Sequence, residues 1–281
     1  MRRRPLLRAG GILLIATGIA LGYESLIGFS SRIPLPVFTG RVSVLSYNVQ
    51  TTREPSVETE QVIREADADV VCLQEVSSAW HGFLWPRLRD TYPAALHRDF
   101  RDGYGGLAFY SKYPLRDIQY LPPPDGAWYP AWVIDAETPA GPVQIANLHF
   151  RALRADRGGS AVGYFTVPRM HRREVDAILD VLTPNVPTML IGDFNGNEND
   201  PGVWQASCAG FIDVLPLFDR GTPTWRGRLW KFPISARPDH ILCSRHFRPE
   251  FAGVLDCGGS DHCPVMAELT LVDTQGTLPL R

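Results

Sequence analysis

Apolar and polar positions alternate in several short runs along the chain, the period of strands that keep one face in a core. RVSVLSYNV predicts a strand over 41–49, and the continuous apolar run DVVCLQEV predicts a buried strand over 69–76. GGLAFYSKYPL predicts a strand over 105–115 closed by a Lys-Tyr-Pro turn. AWVIDAETPAGPVQIANLHF predicts a hairpin over 131–150 that turns at Pro139-Ala140-Gly141. Further strands are expected over 186–195, 237–244 and 262–272. Two segments carry a helical period instead. One is 57–68; the other is 167–182, which sets Val175, Ile178, Leu179 and Leu182 on one face. No internal repeat is present. Strands interleaved with helices predict one strand-dominated α/β domain over 41–273.

The N-terminus breaks this pattern. Residues 1–8 hold four arginines and no acid, and 9–23 are apolar and uncharged. Fifteen helical residues span about 22 Å, short of the roughly 30 Å hydrocarbon core. Extension through Phe29 makes a marginal span. Two readings stand: a secretory signal with a small-residue exit at Ala20-Leu21-Gly22, or an uncleaved anchor with its arginines in the cytoplasm. Residues 1–29 are therefore expected to be a membrane anchor or signal segment, 30–40 a Pro-bearing linker and 274–281 a tail. Either reading places the main domain outside the cytoplasm, exported or anchored to a membrane.

Charge sharpens the picture. Lys112 and Lys231 are the only lysines among 28 basic residues, and 30 residues are acidic, for a net charge of −2. Without residues 1–22, 24 basic residues face 30 acidic ones, a net charge of −6. A domain this acidic does not hold nucleic acid by charge alone. The five cysteines, Cys72, Cys208, Cys243, Cys257 and Cys263, leave at least one unpaired. Cys72 and Cys243 lie in apolar runs and read as inert core thiols. Cys257 with Cys263, or Cys208 with either, could pair in an oxidising compartment.

The candidate chemistry sits where predicted strands end. Asn48 closes LSYN, Glu75 follows VVCLQ, Asn147 and His149 close IANLH, and Asp193 and Asn195 stand in LIGDFN. Asp239 lies in RPDHIL, and Asp261 and His262 in GGSDHCPV. Strand ends in a layered fold converge on one rim, where sites are built. Singly, each residue has a bland explanation as a solvated tip or a turn; six such clusters favour a common site. Hard oxygen donors without thiolates suit Mg²⁺ or Mn²⁺. His149 and His262 are available as proton donors. Ser260-Asp261-His262 are consecutive and cannot align as a relay, and the chain holds neither a G-x-S-x-G elbow nor a phosphate-binding G-x-x-x-x-G-K-[ST] loop. Metal-assisted attack of water on phosphorus is what remains.

The ordered set SYN, LQE, NLH, GDFN, RPDH, SDH resembles the endonuclease/exonuclease/phosphatase superfamily. That group includes pancreatic-type deoxyribonuclease, abasic-site endonucleases, inositol polyphosphate 5-phosphatases and bacterial sphingomyelinases. The resemblance spans about 41–272 and implies a four-layer αββα sandwich of two packed mixed sheets. It implies Glu75 as the metal-binding carboxylate, with Asn48 beside it and Asp261 helping to hold metal. It implies Asp193 as the group that activates water, Asn195 as the amide on a phosphoryl oxygen, and His262, polarised by Asp239, as the histidine beside the scissile phosphate. His149 stands where the abasic-site enzymes carry a tyrosine and matches the deoxyribonuclease and sphingomyelinase branches. His240 is expected on the opposite face of its strand and outside the site.

Substrate identity is less legible. Two aromatic-rich loops, 121–132 and 225–233, are expected to decide it, the second mixing Trp225, Trp230 and Phe232 with Arg226, Arg228 and Lys231. Such a mixture suits nucleotide stacking or a membrane interface, while Trp225 reads equally well as a core residue. Arg151, Arg154 and Arg157 stand ready for an anion. The expected function is a monomeric, Mg²⁺- or Mn²⁺-dependent phosphodiesterase acting on nucleic acid. The alternatives are the same chemistry on a phospholipid or sphingolipid headgroup, or an inactive binding module.

Overall fold

The computed structural model describes residues 38–101, 104–152 and 159–272. In chain order the elements begin β1 (Phe38–Asn48), α1 (Val57–Ala66), β2 (Val70–Gln74), α2 (Ser78–Leu88), β3 (Ala94–Arg98), β4 (Leu107–Ser111) and β5 (Leu115–Leu121). They continue with β6 (Ala131–Thr138), β7 (Gly141–His149), α3 (Gly159–Leu179), β8 (Thr188–Asp193), α4 (Pro201–Cys208) and β9 (Ile212–Asp213). Last come α5 (Leu215–Phe218), β10 (Trp225–Leu229), β11 (Phe232–Ala236), β12 (Asp239–Cys243), β13 (Phe247–Val254) and β14 (Val265–Val272).

One six-stranded sheet has the order β13-β14-β1-β2-β4-β3, the other β5-β6-β7-β8-β12-β9, and β10 with β11 form a separate hairpin. Parallel neighbours need a crossover. Helix α1 joins the parallel pair β1 and β2, and α3 lies between the parallel pair β7 and β8. Apolar residues from the facing sides of both sheets, among them Val44, Phe109, Ile145, Ile191 and Ile241, make the central core. The outer face of the first sheet buries Leu45, Tyr47 and Leu73 with Ile63, Trp80 and Leu84 of α1 and α2. The outer face of the second buries Leu148 and Leu190 with Val175, Ile178 and Val203 of α3 and α4. Two mixed sheets with helices on both outer faces are the expected four-layer αββα sandwich. Phe38–Asp273 form one compact unit.

Local chemistry sets the boundaries. Ser56 caps α1 by accepting the Thr59 N–H, and Asp67, left-handed at φ 43°, ends it two residues early of the periodic pattern. Helix α3 starts at Gly159, eight residues before its clear amphipathic stretch. The segment 225–236, expected to begin as an irregular loop, is a hairpin with Trp230 at its turn. No described helix is long and apolar enough to cross a membrane. The segment 1–29, the tail 274–281, most of the linker, and Arg154 and Arg157 lie outside the described residues.

Candidate active site

Alternation sends every second strand residue into the space between the sheets. Along β1 these are Val42, Val44, Ser46 and Asn48, and along β7 Val143, Ile145, Asn147 and His149. Along β8 they end in Asp193, and along β12 they start with Asp239. The inter-sheet layer is thus apolar along most of its length and polar at one end. Strand register brings the polar tips together. Asn48 lies opposite Gln74, whose neighbour is Glu75; His149 and Asp239 both lie opposite Asp193.

The contacts run across the sheets. Asn48 Nδ2 donates to Glu75 Oε1 and to Asp193 Oδ2, each at 3.1 Å. Glu75 Oε2 accepts the Thr51 N–H at 2.9 Å. Asp193 Oδ1 accepts the Asn195 N–H at 2.8 Å, while Oδ2 faces His149 Nε2 at 3.7 Å and His262 Nε2 at 3.6 Å. His262 Nδ1 pairs with both Asp239 oxygens, at 3.1 and 3.0 Å. Strained backbone holds these tips. Glu75 and Asn195 are left-handed, at φ 59° and 48°, a conformation that costs a non-glycine residue about 1 kcal/mol. At Gly192 the reason for glycine is steric: a Cβ would sit 1.9 Å from Leu148 O.

Asp261 and His262 come from a loop rather than a strand. A disulfide between Cys257 and Cys263 closes it, one of the pairings the sequence left open; Cys72 and Cys243 are buried thiols and Cys208 is exposed. Tyr47 Oη and Thr59 Oγ1 donate to the carbonyls of Cys257 and Gly258. Ser260 Oγ donates to Asn48 O at 2.8 Å and accepts the His262 N–H, so it is a brace and not a nucleophile. Trp225 Nε1 donates to Asp261 Oδ2 at 3.0 Å.

The two histidines differ in charge. Burial alone pushes His262 down, but the carboxylates of Asp239 and Asp193 outweigh it and the imidazole ends well above its ordinary value. It is a cation with one nitrogen fixed and the other facing the site. His149 is driven down to about 3, by burial and then by the charge of His262, and its Nδ1 has no hydrogen-bond partner. Only His262 therefore carries an acidic proton at neutral pH; His149, expected as a second proton donor, is neutral and stacks on Tyr129 with ring centroids 3.9 Å apart.

Burial pushes Glu75 up, against hydrogen bonds from Thr51 and Asn48. Asp193 is raised by burial despite His262, with Asp239 adding to the rise. Glu75, Asp193 and Asp239 make their ion pairs, among the described residues, only with His149 and His262. Three carboxylates against one imidazolium leave the site short of positive charge, which a divalent cation would supply. The donor set, hard oxygens with imidazole nitrogen, fits such an ion. Ligand atoms of Asp193, Asp239 and His262 lie within 4.8 Å of one another, a second place for a cation. It is the poorer one, because His262 Nδ1 and the Asp239 oxygens already pair with each other.

A model of the Endonuclease/Exonuclease/phosphatase family matches residues 45–262. The chain belongs to this family. That membership makes it a metal-dependent phosphoric ester hydrolase. Among solved structures it resembles an endonuclease/exonuclease/phosphatase from Beutenbergia cavernae, with TM-score 0.64 and 20% identity over 82% of this chain and 72% of that one. It also resembles TDP2 from D. rerio complexed with single strand DNA product, with TM-score 0.62 and 15% identity over 82% and 99%. TDP2 from C. elegans is similar at TM-score 0.61 and 14% identity over 82% and 75%. At these identities the likeness is one of fold. No curated protein sequence matches the chain.

Within this family member, the structure gathers Asn48, Glu75, His149, Asp193, Asp239 and His262 at one end of the inter-sheet layer. Asn48 presents its nitrogen to the carboxylates and so braces Glu75 and Asp193, and its oxygen accepts the Gln50 N–H. Asn195 spends its Nδ2 on Phe150 O at 2.8 Å. Asn147 is one step too deep: it bonds Gln74, Leu73 O and Ala108 O and ties the two sheets together. His240 sits out of phase and on the other face, bonded to Asp213 and Gly196 O. The aromatic loops around Tyr129 and Trp225 stand out in the sequence as determinants of substrate; what the residues alone do not show is that Tyr129 stacks on His149 and that Trp225 Nε1 orients Asp261.

Proposed function

We propose that the chain is a Mg²⁺- or Mn²⁺-dependent phosphodiesterase of nuclease-like action. The observation that carries this reading is the convergence of Glu75, Asp193 and the Asp239–His262 pair on one buried, positively underfilled end of the inter-sheet layer. Glu75 is the carboxylate best placed to hold the cation, with Asp261, oriented by Trp225, contributing negative charge from the neighbouring loop. When bound, such an ion neutralises the phosphoryl oxygens and polarises the ester. Asp193, held by Asn48 and by the Asn195 amide, orients a water and takes its proton. His262, kept charged by Asp239, stabilises the negative charge that grows on the phosphorus oxygens. His149 offers a neutral N–H to the same oxygens, and Asn195 sits where its amide can reach them on leaving Phe150.

The Cys257–Cys263 disulfide supports work in an oxidising compartment outside the cytoplasm, in keeping with the basic-then-apolar N-terminus. One observation favours a second substrate. The hairpin tip carries Trp230, 92% exposed, and Phe232, 74% exposed, beside Lys231, which suits a lipid headgroup layer. The test is to incubate the full chain with plasmid and with sphingomyelin vesicles, in Mg²⁺ or in EDTA. Metal-dependent nicking that fades steeply with salt supports the nuclease reading. Release of phosphocholine from vesicles alone transfers the same chemistry to lipid. Hydrolysis of neither, nor of bis(p-nitrophenyl) phosphate, contradicts the proposal.

A further inference from the structure

The reaction centre handles phosphorus and leaves open what flanks it. Beside it lies a second cleft, of about 510 Å³, lined by Arg101, Tyr104, Trp128, Tyr129 and Arg151. Tyr129 is the shared wall, since its ring stacks on His149 at 13° from parallel. Trp128 meets Tyr129 edge to face at 6.1 Å, and the Arg151 guanidinium lies 4.6 Å from the centre of Trp128. Arg151 Nη1 donates to Gly126 O at 2.6 Å, which ties the cation to the aromatic loop. Tyr104 is 55% exposed at the mouth. Among the described residues that line it, the cleft carries three rings and two guanidinium groups and no carboxylate. The neighbouring reaction centre has the opposite sign.

Charge and shape together select the occupant. A quaternary ammonium headgroup is drawn to aromatic faces, but here it would meet two guanidinium groups. A planar ring joined to a phosphate meets both features at once: the ring stacks, and the phosphate pairs with guanidinium. The volume is that of a small-ligand pocket and accommodates about one nucleotide. Bases within a duplex are already stacked on their neighbours, so an unpaired base gains most from such rings.

We propose that this cleft is a nucleotide subsite of the active site, which stacks an unpaired base on Trp128 and Tyr104 and holds a flanking phosphate on Arg101 and Arg151. The substrate it selects is single-stranded nucleic acid. The inference rests on the reading of the adjoining centre as a phosphodiesterase, and the test separates the two. Binding of a fluorescein-labelled short oligothymidylate is followed by anisotropy in EDTA, where no turnover occurs. Hydrolysis of bis(p-nitrophenyl) phosphate by the unaltered chain in Mg²⁺ reads the reaction centre alone.

The expected result is that Trp128→Ala and Arg101→Glu each weaken oligonucleotide binding about tenfold or more, and that a duplex of equal length binds at least about tenfold more weakly than the single strand. Arg101 is exposed, so its variant stands even if Trp128→Ala fails to fold. Unchanged binding by Arg101→Glu, equal binding of the duplex, or binding of sphingomyelin vesicles in place of the oligonucleotide overturns the subsite. Hydrolysis of the small ester together with unchanged oligonucleotide binding removes the subsite and spares the hydrolase reading. Loss of binding in both variants with no ester hydrolysis does the reverse.

Discussion

The reaction centre and the rim around it are built by different means. The centre is made of strand tips: Asn48, His149, Asp193 and Asp239 each occupy an inward position at the end of a central strand, and each is buried. Their placement follows from a period of two and from strand register, so a one-residue slip would remove them all. The rim is made of connections, the loop 122–130 and the hairpin β10–β11. Its aromatic and basic groups are exposed or half-buried and owe their positions to side-chain contacts such as Arg151 on Trp128. In the proposed reading, chemistry sits on the strands and substrate choice on the connections, the division expected when a scaffold positions a site for its loops to specify.

That division predicts how variants sort. The largest effect is expected in the centre. His262→Ala should fold and lose about 10² or more in kcat, the usual cost of a charge-stabilising donor, and lose it equally on a small diester and on an oligonucleotide. Steady-state rates on both substrates check this; a loss confined to the oligonucleotide would move His262 to the rim.

Next comes the support beneath the rim. Glu174 of α3 is 3% exposed under Leu121, Pro124 and Tyr129. Burial pushes its carboxyl up from 4.5 to about 7, against the pull of His171. Because the folded value is raised, the fold bears no penalty below the unfolded value. The penalty grows as pH rises and is complete above about 7. At about 1.4 kcal/mol per pH unit it reaches roughly 3 kcal/mol. Urea unfolding should show Glu174→Gln gaining stability relative to the unaltered chain near pH 8 and not near pH 5; an equal shift at both would contradict the assignment.

A smaller effect is expected where the two regions meet. The Cys257–Cys263 bond closes a short loop that carries Asp261 and His262. Replacing both cysteines by serine should cost about 2 kcal/mol of stability by loop entropy and lower kcat more than it raises KM. Unchanged kcat would show that the bonds from Tyr47, Thr59 and Ser260 place the loop unaided.

The contrast also explains what could be read from the residues. The strand-dominated α/β character, the hairpin over 131–150 and the polar ends of β1, β7, β8 and β12 were legible because alternation and strand endings are local signals, while the four-layer arrangement came with the family resemblance and the placing of Asp261 and His262 on a loop was not foreseen. The same phase rule placed His240 outside the site. It could not separate Asn147 from His149, two residues apart on the same face, because depth along the layer is set by the opposing sheet. Nor could it reveal that Asn48 turns its nitrogen inward, that burial strips His149 of its charge, or that Trp225 holds Asp261. Each of those depends on contacts between residues far apart in the chain.

The central claim is that the polar end of the inter-sheet layer is a cation site organised by Glu75. Crystals of the protein soaked in Mn²⁺ test it directly through anomalous scattering. The account predicts a peak roughly 2.1 Å from a Glu75 oxygen, absent in Glu75→Gln. A peak bound to Asp239 and His262 that is untouched by the Glu75 substitution, or no peak in this end of the molecule, would contradict it.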